Sequence, residues 1–431
     1  MMASTVVQSR RVGASAGPRI LCCVFAAAVP FDAILVAQEG VSWLRLLGFL
    51  LIVVLAAEIL VIGQVRWLGA VHFLPIALAV WATLSLGWSL GGPSHESALQ
   101  IVQFSVMGAL ILAIPWSRRD IHAISMSIVA GGVLAAVMVL TRFGAGDHYL
   151  GLVDRASIAI NTGTEQDPNH LAASLLLPLF LAAWLGWHRR GPIKLALISG
   201  AGTIAIAILL TGSRGAMVGL GLGLSAWVFG VGKRRMLRFV AAILLCIGVV
   251  LALQQVYPDV AERFTTTYTI ADEGAGRLDI WAVGVTSFKL SPVWGVGVGR
   301  FPQSFERSFR ATSGITNVKH LAVSHSLPLR IAVELGTLGL LLWSAWLLVL
   351  AALAFRSWNM RQVLVPFMIA LTGASLFLDS FSERYWWLGM TMIALLSTCS
   401  RRSHSHDRAS RLTGRSSAPL GGPEPAKEVL I

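Results

Sequence analysis

Apolar residues dominate this chain in long unbroken runs, separated by polar breaks that hold most of its charge. Each run is roughly 20 residues, long enough to cross a hydrocarbon core of ~30 Å as a helix. Their centres lie near Ala28, Val53, Ala79, Val106, Val129, Pro178, Ile206, Leu222, Ile247, Leu341, Ile369 and Ala394. Backbone polar groups in lipid must bond within their own segment, and membrane β-strands would be shorter and alternating. The pattern therefore predicts an all-α membrane protein with about twelve transmembrane helices. Two breaks exceed a turn. One covers about 144–166 and leads into Asp167-Pro168-Asn169-His170. The other covers 257–322, between the ninth and tenth runs, and ends at Val323-Ser324-His325-Ser326. The expected organisation is an N-terminal segment 1–17, nine spans in 18–256, the large loop 257–322, three spans in 323–400 and a tail 401–431. That tail is rich in Ser, Arg, Gly and Pro and has little to bury, so disorder is expected.

Composition agrees: 55% of the 431 residues are hydrophobic and 13% charged, too few for the surface of a soluble protein this long. Lysine and arginine set the orientation. The side holding both chain ends carries 21 of the 34 basic residues, and seven of the remaining 13 lie in the large loop. Both termini are expected in the cytoplasm and the large loop outside. The net charge of +13 then reflects topology and gives no reason to invoke nucleic acid. The first run follows Arg10, Arg11 and Arg19 in the manner of a signal peptide, but the chain keeps re-entering the membrane, so a retained first helix is expected. Cys22, Cys23, Cys246 and Cys399 sit in or at the ends of apolar runs and read as packed thiols without metal-ligand spacing.

The polar breaks hold the candidate chemistry. Thr211-Gly212-Ser213-Arg214-Gly215 is a short turn between two runs. Its arginine either snorkels to water or binds an anion through paired donors. In the large loop Leu278, Trp281, Ala282, Val285 and Phe288 recur at helical spacing, with Arg277 at the start and Pro292 at the end. Such a helix would lie in the interface, apolar side toward the lipid or the bundle. Trp294-Gly295-Val296-Gly297-Val298-Gly299-Arg300 follows as a flexible, glycine-rich turn that permits positive φ and close backbone approach. Arg277 and Arg300 are each either a solvated cation or an anion ligand. His325 stands at the water–lipid boundary, as a plain helix-start residue or as a base; histidine's unperturbed pKa of about 6.5 suits proton abstraction. Glu334 is nine residues on, half a turn around an ideal helix, so it faces elsewhere. Gly215, Gly219 and Gly223 form a small-residue face for helix packing. Gly232-Lys233 fails as a phosphate-binding loop, because Trp227 and Arg234 occupy its required glycine and hydroxyl positions. The Gly295–Gly299 alternation lacks the strand-turn-helix context of a dinucleotide site, and no Asp-x-Asp pair appears, so no cofactor is indicated.

Several of these motifs, in this order, resemble the O-antigen ligase and polymerase superfamily. They are Asp167-Pro168-Asn169 with Ala172, Thr211-Gly212-Ser213-Arg214-Gly215-Ala216, Gly276-Arg277-Leu278-Asp279-Ile280-Trp281, residues 292–301, and His325 with Glu334-Leu335-Gly336 and Gly339. The resemblance is strongest over 167–340 and weak before Leu150; Ser326 stands where many relatives carry asparagine. It implies a metal-independent transferase of the bacterial inner membrane, with the large loop periplasmic. The implied donor is an undecaprenyl-diphosphate-linked glycan. The implied acceptor is a glycolipid such as a lipid A core in a ligase, or a second lipid-linked glycan in a polymerase. Membrane lipids surround it. Arg214, Arg277 and Arg300 would hold the diphosphate and His325 would be the base, supported by Ser213, Trp281, Asp167, Asn169 and Glu334. A transporter of anions or lipid-linked glycans is the competing class. It would show internal repeats and broken helices, and no repeat relates the two halves.

Overall fold

Helices fill the computed structural model, which describes residues 14–36, 42–63, 65–148, 155–160, 164–230, 273–312 and 323–413. In chain order they are α1 (Ala16–Ala28), α2 (Trp43–Ile62), α3 (Ala70–Leu84), α4 (His95–Ala113), α5 (Arg118–Gly144), α6 (Pro168–Ser174), α7 (Leu176–Trp187), α8 (Gly191–Leu210) and α9 (Arg214–Gly230). After them come α10 (Glu273–Leu290), α11 (Phe301–Phe309), α12 (Leu327–Arg356), α13 (Arg361–Ser375) and α14 (Arg384–Thr413). Every expected centre except Ile247 falls in one of these helices, and Ile247 lies outside the described residues. Among the described residues, seven helical segments are long and apolar enough to cross a membrane: Trp43–Ile62, Ala70–Trp88, His95–Ala113, Arg118–Gly144, Pro168–Trp187, Gly191–Leu210 and Leu327–Arg356. The first apolar segment, Ala16–Phe31, is shorter.

The all-α expectation needs one amendment. Inside the 144–166 break, β1 (Ala159–Ile160) pairs antiparallel with β2 (Thr164–Glu165), a two-residue ladder that satisfies backbone groups no helix serves. The tail also departs from expectation. Disorder is expected from Arg401, yet the backbone of α14 stays helical to Thr413. Residues 401–413 contain neither proline nor glycine, so nothing stops a helix already nucleated in the apolar segment before them. Residues 414–431 lie outside the described set.

Hydrogen bonds and ion pairs join the described connections at each end of the bundle. At one end Ala33 N–H donates to Gln166 Oε1 at 3.0 Å, Arg384 pairs with Asp32, and Leu90 N–H donates to Val296 O at 2.9 Å. At the other, Arg19 pairs with Asp120 at 3.2 Å, Arg66 N–H donates to Ala113 O at 2.9 Å, and Ser357 Oγ donates to Ser397 O at 3.0 Å.

Helix α9 lies along α13 by way of its glycines. A Cβ at Gly219 would fall 2.3 Å from Ala370 O, and one at Gly223 would fall 2.7 Å from Pro366 O. The small-residue face thus lets two backbones touch, where dispersion holds helices together in lipid. Gly219→Leu is expected to force the pair apart, at a cost of about 1–3 kcal/mol. Thermal unfolding of the purified chain in detergent should show the lower midpoint, and an unchanged midpoint would refute this packing.

Helix α10 starts at Glu273, four residues before the expected Arg277. It is apolar on two sides. Leu278 and Val285 of the expected stripe are exposed, facing outward as an interfacial helix would, while Ile280 and Val283 are buried with Phe301 and Phe305 of α11 and Val333 of α12. The expected stripe is split: Leu278, Ala282 and Val285 are exposed, whereas Trp281 and Phe288 pack against this buried cluster.

Candidate active site at one end of the bundle

The Thr211–Arg214 turn is built by capping. Gly212 adopts φ +64, which glycine reaches without a side-chain penalty, and ends α8. Ser213 is fully buried, and its Oγ accepts from Ala216 N–H at 3.4 Å, so it caps α9 and delivers Arg214 as the first helical residue. Buried Arg155 donates from Nε to Thr211 O at 3.3 Å and braces this turn from the 144–166 break. Gly215 packs on Phe377, in the connection between α13 and α14.

The same Phe377 lies 6.0 Å from the Trp281 ring. Trp281 donates from Nε1 to Ser324 O at 3.2 Å, next to His325. The turns bearing Arg214 and His325 thus converge with Trp281 around one phenylalanine. Arg277 is one helical turn before Trp281 on the same side of α10. His325 is the one residue other than glycine with positive φ (+46) among the described residues. Such a conformation is costly for a side-chain-bearing residue and needs support from its surroundings. Helix α12 begins two residues later, at Leu327, rather than at the histidine itself.

That support includes residues that none of the motifs marks. Asp379 accepts from Ser324 Oγ at 3.2 Å and from Arg330 Nη1 at 2.8 Å. Arg330 also pairs through Nε with Glu334 Oε1 at 3.2 Å. Glu334, with no exposed surface, accepts from Gly299 N–H at 2.8 Å and Phe301 N–H at 3.1 Å, on either side of Arg300. Glu334 thus holds the glycine turn.

The expectation that this turn is flexible is overturned. Gly295, Gly297 and Gly299 all adopt positive φ, and the turn is pinned to a break in α12 at Gly336 (φ 67, ψ −167). Freed carbonyls of α12 accept from the turn: Val333 O from Val296 N–H and Glu334 O from Gly297 N–H, each at 2.9 Å. Leu335 O accepts from Trp81 Nε1 at 2.9 Å, and Thr337 N–H donates to Pro292 O at 2.8 Å. Broken helices mark many transporters, but here protein groups take up the opened backbone. Arg300 follows the turn at the N-cap of α11, with its Nε buried and lacking a hydrogen-bond partner among the described residues.

Asp167 and Asn169 do not join the Phe377 group directly. Asp167 caps α6 by accepting from Asn169 N–H at 2.7 Å. The next residue, His170, meets Tyr385 Oη at 3.1 Å, which in turn meets Ser380 Oγ at 2.8 Å, and it stands 3.9 Å from Glu383. This rim ties α6 to the connection that carries Asp379. Burial raises the Glu383 carboxyl above its ordinary range; Asp32 and Asp379 add to the shift, and His170 and Arg384 oppose it. A carboxyl raised on folding binds its proton more tightly in the native state, so stability falls as pH rises from the unfolded value, near 4.5, through the folded one. Glu383→Gln is expected to flatten that slope of melting temperature against pH. An unaltered slope would show that Glu383 does not set it.

The family model described as O-antigen ligase matches residues 199–344. Over those residues the chain is similar to the O-antigen ligase family. That span contains Ser213, Arg214, Arg277, Trp281, Arg300, His325 and Glu334, and it leaves out Asp167, Asn169, Asp379 and Glu383. Over 344 residues the chain is 28% identical to an O-antigen ligase of Pseudomonas aeruginosa, covering 74% of this chain and 75% of that protein. Over 275 residues it is 25% identical to the exopolysaccharide production protein ExoQ of Rhizobium meliloti, covering 62% of this chain and 61% of that one. These likenesses agree with the motif resemblance, and the long apolar helices fit an integral membrane protein.

Proposed function

We propose that this chain moves a glycan from an undecaprenyl-diphosphate carrier to an acceptor hydroxyl at the periplasmic face of the inner membrane, as an O-antigen ligase acting on a lipid A core. The observation that carries this reading is the convergence of the Arg214 turn, Trp281 and the His325 turn at one end of the bundle, within the span similar to the O-antigen ligase family. In the reaction the acceptor oxygen attacks the anomeric carbon of the donor sugar. The bond from that carbon to the phosphate oxygen breaks, and its electron pair leaves with undecaprenyl diphosphate. His325 takes the acceptor proton. Arg214 and Arg277 stabilise the charge that develops on the diphosphate, as fixed cations do in phosphoryl chemistry, and Arg300 completes the anion site. The donor carries its own activation, so no nucleotide enters.

The likeness to ExoQ favours one second reading, a polymerase that joins lipid-linked repeats. A strain lacking this gene separates the two. Long glycan stranded on the carrier, restored to lipid A by the wild-type gene, is the ligase outcome. Single repeats in place of long chains are the polymerase outcome. Unchanged surface glycan would overturn both.

A further inference from the structure

Arg330 is a cation that the motifs do not include, yet it sits between the two turns that do the chemistry. Its side chain is 11% exposed and its two carboxylate partners are 16% and 0% exposed. The partners come from different elements: Glu334 is one helical turn on in α12, and Asp379 is 49 residues away in the α13–α14 connection. Each carboxylate has a second task. Glu334 accepts the two backbone N–H groups that flank Arg300. Asp379 accepts the hydroxyl of Ser324, the residue before His325. One guanidinium thus joins the glycine turn to the histidine turn through two carboxylates, and its planar fork suits two such partners at once.

We infer that Arg330 is a positioning residue that couples the Arg300 anion site to the His325 base. The inference rests on the proposed roles of Arg300 and His325. A diphosphate drawn to Arg300 pulls on a turn whose backbone ends on Glu334. That carboxylate cannot shift without moving Arg330, and Arg330 cannot shift without moving Asp379 and Ser324. Donor binding and base placement therefore share one rigid element. Lysine would keep the charge but not the fork, so Arg330→Lys leaves the two carboxylates neutralised while loosening the link. Arg330→Ala leaves two buried carboxylates unpaired and is the variant that fails to fold.

The test uses the full chain in lipid nanodiscs, with undecaprenyl diphosphate as the binding probe and transfer from undecaprenyl-diphosphate-linked glycan as the turnover assay. Glu334→Gln is expected to weaken probe binding about tenfold, since it loses one charge-assisted hydrogen bond to the turn, and to lower saturated turnover as well, because the histidine turn hangs on the same link. Asp379→Asn is expected to lower saturated turnover about a hundredfold, the effect of a misplaced catalytic group, and to weaken probe binding with it; binding left at the wild-type level would count against the coupling. Arg330→Lys is expected to do both, with a melting temperature near wild type. In an Arg300→Ala background Glu334→Gln should weaken binding no further, which a merely structural role would not produce. Wild-type binding and turnover in Arg330→Lys, alongside inactive Arg300→Ala and His325→Ala chains, would overturn the coupling alone. Losses in all three variants that simply track melting temperature would also overturn it. Wild-type behaviour in Arg300→Ala and His325→Ala would overturn the proposed site, and the coupling with it.

Discussion

His325→Ala and Arg214→Ala are each expected to stop the proposed glycan transfer while the chain reaches the membrane in normal amount. The expected loss from removing a general base is about 10²–10⁴-fold. Removing a fixed donor at a developing charge costs about 10²–10³-fold. Arg214 is the first residue of α9, and the cap beneath it is the hydroxyl of Ser213. His325 lies in the turn before α12, and its neighbour Ser324 makes the contacts to Trp281 and Asp379. Arg214→Lys is expected to recover part of the activity, because lysine restores the charge without the paired donors. The measurement is surface glycan in a strain lacking the gene, rescued by each allele, with membrane protein level as the control. Normal glycan from His325→Ala would end its role as base. Normal glycan from both would end the site.

How far this could be read from the chain differs by element. The spanning helices were legible because lipid permits so few backbone solutions, and an apolar run of that length has one form. The Gly215, Gly219 and Gly223 face was legible because four-residue spacing needs no knowledge of the partner; only the structure names α13 as that partner. The residues of the proposed site lie in motifs that can be read locally, whereas the groups that brace them do not. Asp379 and Arg330 pair across 49 residues, and His170 meets Tyr385 across 215. No local spacing reports such pairs. Arg330 also sits inside an apolar run, where an isolated arginine reads as a helix-end cation. The break in α12 was hidden for a related reason. Glu334-Leu335-Gly336-Thr337-Leu338-Gly339 keeps the hydropathy of a continuous helix, and only the turn at 292–300 arriving alongside makes the opened backbone stable.

That joint yields the largest expected effect on stability. Gly336 holds φ +67 and ψ −167, a region closed to ordinary side chains. A Cβ there would lie 2.1 Å from Val293 O and 2.7 Å from Gly295 N, both backbone atoms with no slack. Gly336→Ala must therefore either displace the glycine turn or drive α12 back to a regular helix. Both outcomes break the bonds from Val296 N–H to Val333 O, from Gly297 N–H to Glu334 O and from Thr337 N–H to Pro292 O. Both also leave Glu334 without the N–H groups of Gly299 and Phe301, stranding a buried carboxylate. Strain, clash and orphaned polar groups together put the expected loss at about 4 kcal/mol or more. Gly221→Ala is the matched control. Gly221 lies in α9, and a Cβ there would meet no heavy atom within 4 Å, so alanine costs nothing in space and gains helix propensity of up to about 1 kcal/mol. Thermal unfolding of the two purified variants in one detergent decides the matter. Equal midpoints would mean that the broken helix and the glycine turn are not joined as described, and that Arg300 is held by something other than Glu334.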